Sequence, residues 1–138
     1  MKTRVVATMF SCIAAISAAH ACPEDFDEFA SQFAADVAFQ RAHTQFPLRY
    51  QYVDPKAFPE PKQVEANVTR ERAADFPGVT YPSPTQQGAA LLQRTITSPD
   101  ADTRIVTFEK ADTDYLIKFT FKKSVPCWEL VSIDDASL

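Results

Sequence analysis

Five residues in one stretch of the sequence have the types and spacing of a small acid–base site: Asp36, Arg41, His43, Tyr50 and Tyr52. An aspartate near the end of a helix and a histidine just beyond it can exchange a proton with a ligand held in a concave sheet. The two tyrosines can supply hydrogen bonds inside an apolar cavity. The same residues also admit a plainer role. Asp36 and Arg41 can form a surface ion pair or cap backbone groups, His43 can occupy a solvated turn, and the tyrosines can sit in a core with their hydroxyls at its edge. Lys122-Lys123 is most simply a solvated strand end, and Trp128 a core or sheet-packing residue.

Most other chemistry is excluded by inventory. Gly78 and Gly88 are the only glycines, so neither a phosphate-cradling loop nor a dinucleotide fingerprint can be built. No Gly-x-Ser-x-Gly elbow occurs. Beyond the first 21 residues His43 is the only histidine, and neither remaining cysteine has a partner at metal-ligand spacing. The sequence therefore calls for no metal and no cofactor.

The 138 residues carry 14 Lys+Arg and 18 Asp+Glu, a net charge of -4. Met1–Ala21 has the form of an export signal. Lys2 and Arg4 lead it, an apolar run from Val5 to Ala19 follows, and Ala19-His20-Ala21 offers a cut between Ala21 and Cys22. The run is shorter than the roughly 20 residues that cross a bilayer. Without Lys2 and Arg4 the 18 acids face 12 bases, a net of -6. That balance excludes a nucleic-acid partner, which needs surplus cations to displace counterions from phosphates. With 46% hydrophobic and 12% aromatic residues, the chain is a folding sequence and not a disordered one.

Cys12 leaves with the signal, so Cys22 and Cys127 remain. In an oxidising compartment the pair predicts a disulfide closing a loop of about 105 residues. The alternatives are an intermolecular bridge, or a lipid on Cys22 with Cys127 as a buried thiol. Ala19 stands where lipoprotein signals usually place leucine. The protein is accordingly expected in the periplasm or secreted, and at a membrane only if Cys22 is lipidated.

One α+β domain over residues 22–138 has to position these groups. Pro23 to about Arg41 predicts a helix, with Pro23 at its first position, acids in its first turn, and a stripe of Phe26, Phe29, Ala30, Phe33 and Val37. Phe39 falls off that stripe. Phe46-Pro47 ends the helix, and Leu48–Val53 alternates as a strand. Asp54–Pro61 is a proline-rich loop. Val64–Val68 alternates like a strand, but the run through Ala74 also suits a polar helix. Ser83-Pro84-Thr85-Gln86 is a capping box opening a short helix to about Gln93. Arg104–Glu109, Asp114–Lys122 and Cys127–Ile133 form a C-terminal meander, with Tyr115, Ile117, Phe119 and Phe121 on one face of its middle strand.

The spaced residues Phe26, Phe29, Phe33, Asp36, Phe39 and Gln40, followed by Phe46-Pro47-Leu48, resemble a family of small exported bacterial proteins known as a domain of unknown function. The ending, Phe119 and Phe121 followed by Trp128, Leu130, Ile133, Asp135 and Ser137, is similar to it too. The resemblance implies a cystatin-like or nuclear-transport-factor-like cone, a curved antiparallel sheet wrapped around a long N-terminal helix. It brings no catalytic residues. The leading reading is thus a non-catalytic exported module that binds a small apolar ligand or another protein, including an inhibitor or immunity protein for a basic toxin. The alternatives are a small pocket enzyme using Asp36 and His43, or a lipid-anchored envelope protein.

Overall fold

The computed structural model describes residues 22–76 and 79–138, so the expected signal, 1–21, lies outside the described residues. The chain forms α1 (Phe26–Ala35), α2 (Val37–Ala42), β1 (Thr44–Asp54) and β2 (Lys62–Val68). A 3-10 turn (Ala73–Asp75), α3 (Pro84–Ala89) and β3 (Gln93–Asp100) follow, then β4 (Thr103–Glu109), β5 (Leu116–Ser124) and β6 (Cys127–Asp135). The α+β architecture with a curved sheet is as expected, and two of its features correct the reading above.

The first concerns the helix. The single long helix is two short ones, because Asp36 leaves helical geometry at φ -129° and ψ 111°. Its Oδ1 accepts from the N–H groups of Ala38 and Phe39 at 2.8 and 3.2 Å. Aspartate competes for backbone donors when it sits inside a helix and satisfies them when it caps one, so the chain restarts there. The restart rotates the second helix, which turns Val37 outward (56% exposed) and buries Phe39 (7%). At the other end, α1 begins at Phe26 with Asp25 as its cap, accepting from the Glu28 N–H, so Pro23 precedes the helix.

The second correction is in the sheet, which is mixed and not wholly antiparallel. Its order is β2-β1-β6-β5-β4-β3, and β1 runs parallel to β6 while every other neighbour is antiparallel. Phe46-Pro47, expected to end the helix, lies inside β1. Proline has no N–H to donate, and the β1–β6 register shifts between Thr44 and Arg49. In β6 a bulge at Val131 lets Trp128, Leu130 and Ile133 all face the core despite their uneven spacing.

Of the middle segment, the Val64 run is strand β2, not helix. The Ser83–Gln86 capping box forms with both of its hydrogen bonds, although its helix ends at Ala89. β3 had no counterpart in the sequence reading.

The space between helices and sheet is filled with aromatic rings. Phe29, Phe33, Phe108, Phe119, Phe121 and Tyr81 are each at most 1% exposed. Phe33 meets Phe121 edge-on at 5.1 Å between ring centroids, and Tyr81 meets Phe119 at 4.9 Å. Edge-to-face packing of this kind adds about 1 kcal/mol per pair beyond area burial. Trp128 belongs to the same core. It is 2% exposed, packs against Phe26 at 5.0 Å, and donates its indole N–H to the Glu24 carbonyl at 3.2 Å.

Candidate functional site

The five candidate residues do not converge. Asp36 and His43 are the N-cap and C-cap of α2, a helix of six residues and hence about 9 Å long. The Asp36 carboxylate is engaged by the helix it caps. Arg41 makes no ion pair with it among the described residues. Arg41 accepts a hydrogen bond through its backbone carbonyl from Arg70 Nη1 at 3.0 Å, and its side chain borders a cavity of about 100 Å³ beside Gln40, Thr44 and Phe46.

His43 is half-buried, not in a solvated turn. Its ring lies against Phe39, with centroids 4.1 Å apart, and meets Phe29 edge-on at 5.7 Å. Burial lowers the imidazole pKa from its usual 6.5, opposed in part by the charge of Glu129. Beside it, Cys22 and Cys127 are joined in a disulfide with Cα atoms 5.5 Å apart. A ring nitrogen of His43 and the two sulfurs all lie within 4.8 Å of one another. Spacing along the chain gave no sign of this juxtaposition.

Tyr50 and Tyr52 point to a different place, at the far end of β6. Tyr50 is buried, stacks on Tyr52 at 5.4 Å, and donates its hydroxyl to Asp135 Oδ2 at 3.2 Å. Burial raises its pKa well above 10, and the Asp135 charge and hydrogen bond add to the shift. Tyr115 is raised for the same reasons, burial first and then Asp135. Asp135 Oδ1 accepts from the Ser137 N–H at 3.0 Å, and Ser137 Oγ accepts from the Leu116 N–H at 3.2 Å, which fastens the end of β6 to β5. Around these groups an open groove of about 380 Å³ runs between α3 and the sheet, with Pro82, Ala90, Leu92, Tyr115 and Ile117 among its walls. Sequence reasoning gave Asp135 and Tyr115 no site role. The alternation that placed Tyr115 on the inner face of β5 was the available signal.

Two further features bear on function. The Tyr81 hydroxyl is buried with no well-formed hydrogen bond among the described residues, and burial pushes its pKa up to about 12 against the opposing charge and loose hydrogen bonding of the nearby Arg94. On the outside, Phe58 is 96% exposed at the tip of the β1–β2 hairpin, between Pro55 and the pair Pro59 and Pro61. The turn is set by Asp54, whose Oδ1 accepts from the Lys56 N–H at 2.9 Å.

No helix among the described residues is long and apolar enough to cross a membrane. The sequence matches no protein-family model and no curated protein. Among solved structures, the chain is similar to an NTF2-like protein from Bacteroides fragilis NCTC 9343, with a TM-score of 0.61 and 21% identity. The match covers 83% of this chain and 48% of that one, so the chain spans about half the length of its structural neighbour. A two-layer α+β arrangement with six strands in one curved sheet, closed by an aromatic core, is therefore an NTF2-like fold.

Proposed function

We propose that this chain is a non-catalytic exported module that recognises another protein through its outer surface. The observation carrying this reading is the filled interior. Where a ligand-binding cone would keep a cavity, Phe29, Phe33, Tyr81, Phe108, Phe119 and Phe121 close the space. Recognition then falls to the exterior, where the most exposed large apolar side chain among the described residues is Phe58 on a proline-framed hairpin tip. A loop stiffened by prolines loses little conformational freedom on docking, and an exposed aromatic makes a suitable anchor. The excess of acids outside the export signal favours a basic partner, as an inhibitor or immunity protein for a secreted toxin would need. The bond between Cys22 and Cys127 uses the sulfur a lipid thioether would require, which supports an unanchored protein in an oxidising compartment. The separation of Asp36 from His43 speaks against the pocket-enzyme reading.

Affinity capture from envelope extract, run in parallel with wild-type protein and Phe58→Asp, tests the proposal. The expected result is a partner retained by the wild type and lost by the variant. Identical captures by both proteins would remove the hairpin tip from the reading.

A second reading rests on the groove beside Asp135. Its apolar walls and single carboxylate suit a small amphipathic ligand, and a rise in melting temperature with such a compound, abolished by Asp135→Asn, would favour it over the protein partner.

A further inference from the structure

We propose that reduction of the Cys22–Cys127 disulfide turns this corner of the molecule into a binding site for a thiophilic divalent cation, with Zn(II) held by the two thiolates and the His43 imidazole. Three ligand atoms already lie within 4.8 Å of one another. In a tetrahedral zinc site with Zn–S near 2.3 Å and Zn–N near 2.0 Å, ligand atoms stand about 3.3–3.8 Å apart. Once the S–S bond is broken, a small separation of the sulfurs meets that geometry without a change of fold.

Placement of the ligands does not depend on the disulfide alone. Cys22 precedes α1, whose entry is held to β6 by the Trp128 indole N–H on the Glu24 carbonyl at 3.2 Å. The Lys123–Glu24 ion pair, 3.7 Å, ties the same entry to the neighbouring strand β5. His43 is held to β6 by the Leu130 N–H, which donates to the His43 carbonyl at 2.9 Å. The imidazole rests on Phe39 and Phe29, so its ring plane is set by packing and its surroundings are apolar on one side. Glu129 lies two residues beyond Cys127 on the same strand, near enough for its charge to act on His43, and offers a carboxylate for the fourth position. Two thiolates and an imidazole are a soft donor set that favours Zn(II) over Mg(II) or Ca(II).

The electron balance is simple. A dithiol reductant gives two electrons and two protons to the disulfide and becomes a disulfide itself; in the test tube a phosphine does the same and leaves as its oxide, with oxygen taken from water. Binding of Zn(II) then releases the two thiol protons to solvent. The oxidised protein has no thiolate to offer, so the site exists only in the reduced state.

The purified protein, reduced with a phosphine and kept anaerobic, is titrated with Co(II) and the metal then displaced by Zn(II). The expected result is one Co(II) per chain, with sulfur-to-cobalt charge-transfer absorption and tetrahedral d–d bands, lost on adding one equivalent of Zn(II). The oxidised protein should give neither signal, and His43→Gln, checked for native circular dichroism, should bind at least about tenfold more weakly. Since that variant can disturb packing, the imidazole resonances of wild-type His43 supply a second readout and should shift on Zn(II) binding to the reduced protein only. Absence of charge-transfer absorption in the reduced wild type would overturn the proposal. So would equal affinity in His43→Gln with unmoved His43 resonances, or a reduced chain that unfolds and is not restored by Zn(II).

Discussion

At the start of β6, Cys127 is bonded to Cys22, Trp128 is wedged against Phe26, and the imidazole of His43 lies on two phenylalanines. At the end of the same strand, Asp135 holds the Tyr50 hydroxyl and the Ser137 N–H, and Tyr115 stands beside an open groove. The strand has nine residues, so these two ends are about 25 Å apart across one aromatic core. One end is closed by a covalent bond and stacked rings, the other by hydrogen bonds to a single carboxylate. A covalent tie acts largely on the unfolded chain and leaves the native surface unchanged. Hydrogen bonds to a carboxylate act in the folded state, and they make that end responsive to anything that competes for the carboxylate.

The largest expected effect tests the covalent end. Replacing both cysteines by serine removes a cross-link spanning 105 residues, and the loop-closure cost for such a span is about 5 kcal/mol. Denaturant unfolding of the double variant should lose an amount of that order. A loss under about 1 kcal/mol would mean that the unfolded chain already keeps these two segments together without the bond.

A smaller effect is expected at the polar end. Tyr50→Phe removes a hydrogen bond to a charged acceptor and should cost about 1.5 kcal/mol. Tyr81→Phe should cost less than that, within about 0.5 kcal/mol of neutral, because the buried hydroxyl it deletes makes no well-formed hydrogen bond and has only the nearby Arg94 guanidinium for company. Both tyrosines have folded pKa values raised above 10, to about 12 for Tyr81. Their contribution is therefore complete below pH 10 and is lost as the pH climbs beyond it, because the unfolded chain releases its phenolic protons first. Each substitution should flatten the alkaline fall in stability, measured by chemical denaturation from pH 9 upward.

The smallest expected effect is the acid response of His43. Its folded pKa lies below 6.5, so the unfolded chain takes up the proton first and stability falls as the pH drops through 6.5. His43→Gln should reduce that slope between pH 7 and pH 5. An unchanged slope would assign the acid response to other groups.

The parts of the fold that were legible are those where burial writes a period into the sequence. β5 has one face in the core and one in solvent, so Ile117, Phe119 and Phe121 alternate with Lys118, Thr120 and Lys122. The Ser83 capping box was legible because both partners lie within one turn. β3 was not, since it is an edge strand with almost every residue exposed and only Ile96 touching the core. Nothing in such a strand selects between its faces. The break at Asp36 was masked by the apolar stripe that continues from Phe33 to Val37 across it, although aspartate is a strong cap. The β1–β6 pairing joins strands more than seventy residues apart, and register at that distance leaves no local mark.

The candidate site divides along the same line. A count of cysteines was enough to suggest the disulfide. That His43 stands beside it depends on where α2 ends relative to β6, a tertiary matter. Asp36 and His43 share a helix but not a location, because caps occupy opposite termini by definition.

The position of β6 in the sheet bears on how the protein comes to be assembled. Strands β2 and β1 form one hairpin ribbon and β3, β4 and β5 another, and the last strand of the chain is the seam that joins them. Neither ribbon has a neighbour on its inner edge without Cys127–Asp135, so joining them waits on the pairing of greatest sequence separation in the sheet, β1 with β6. The two ribbons thus acquire a common core only together, when β6 pairs with β1 on one side and with β5 on the other.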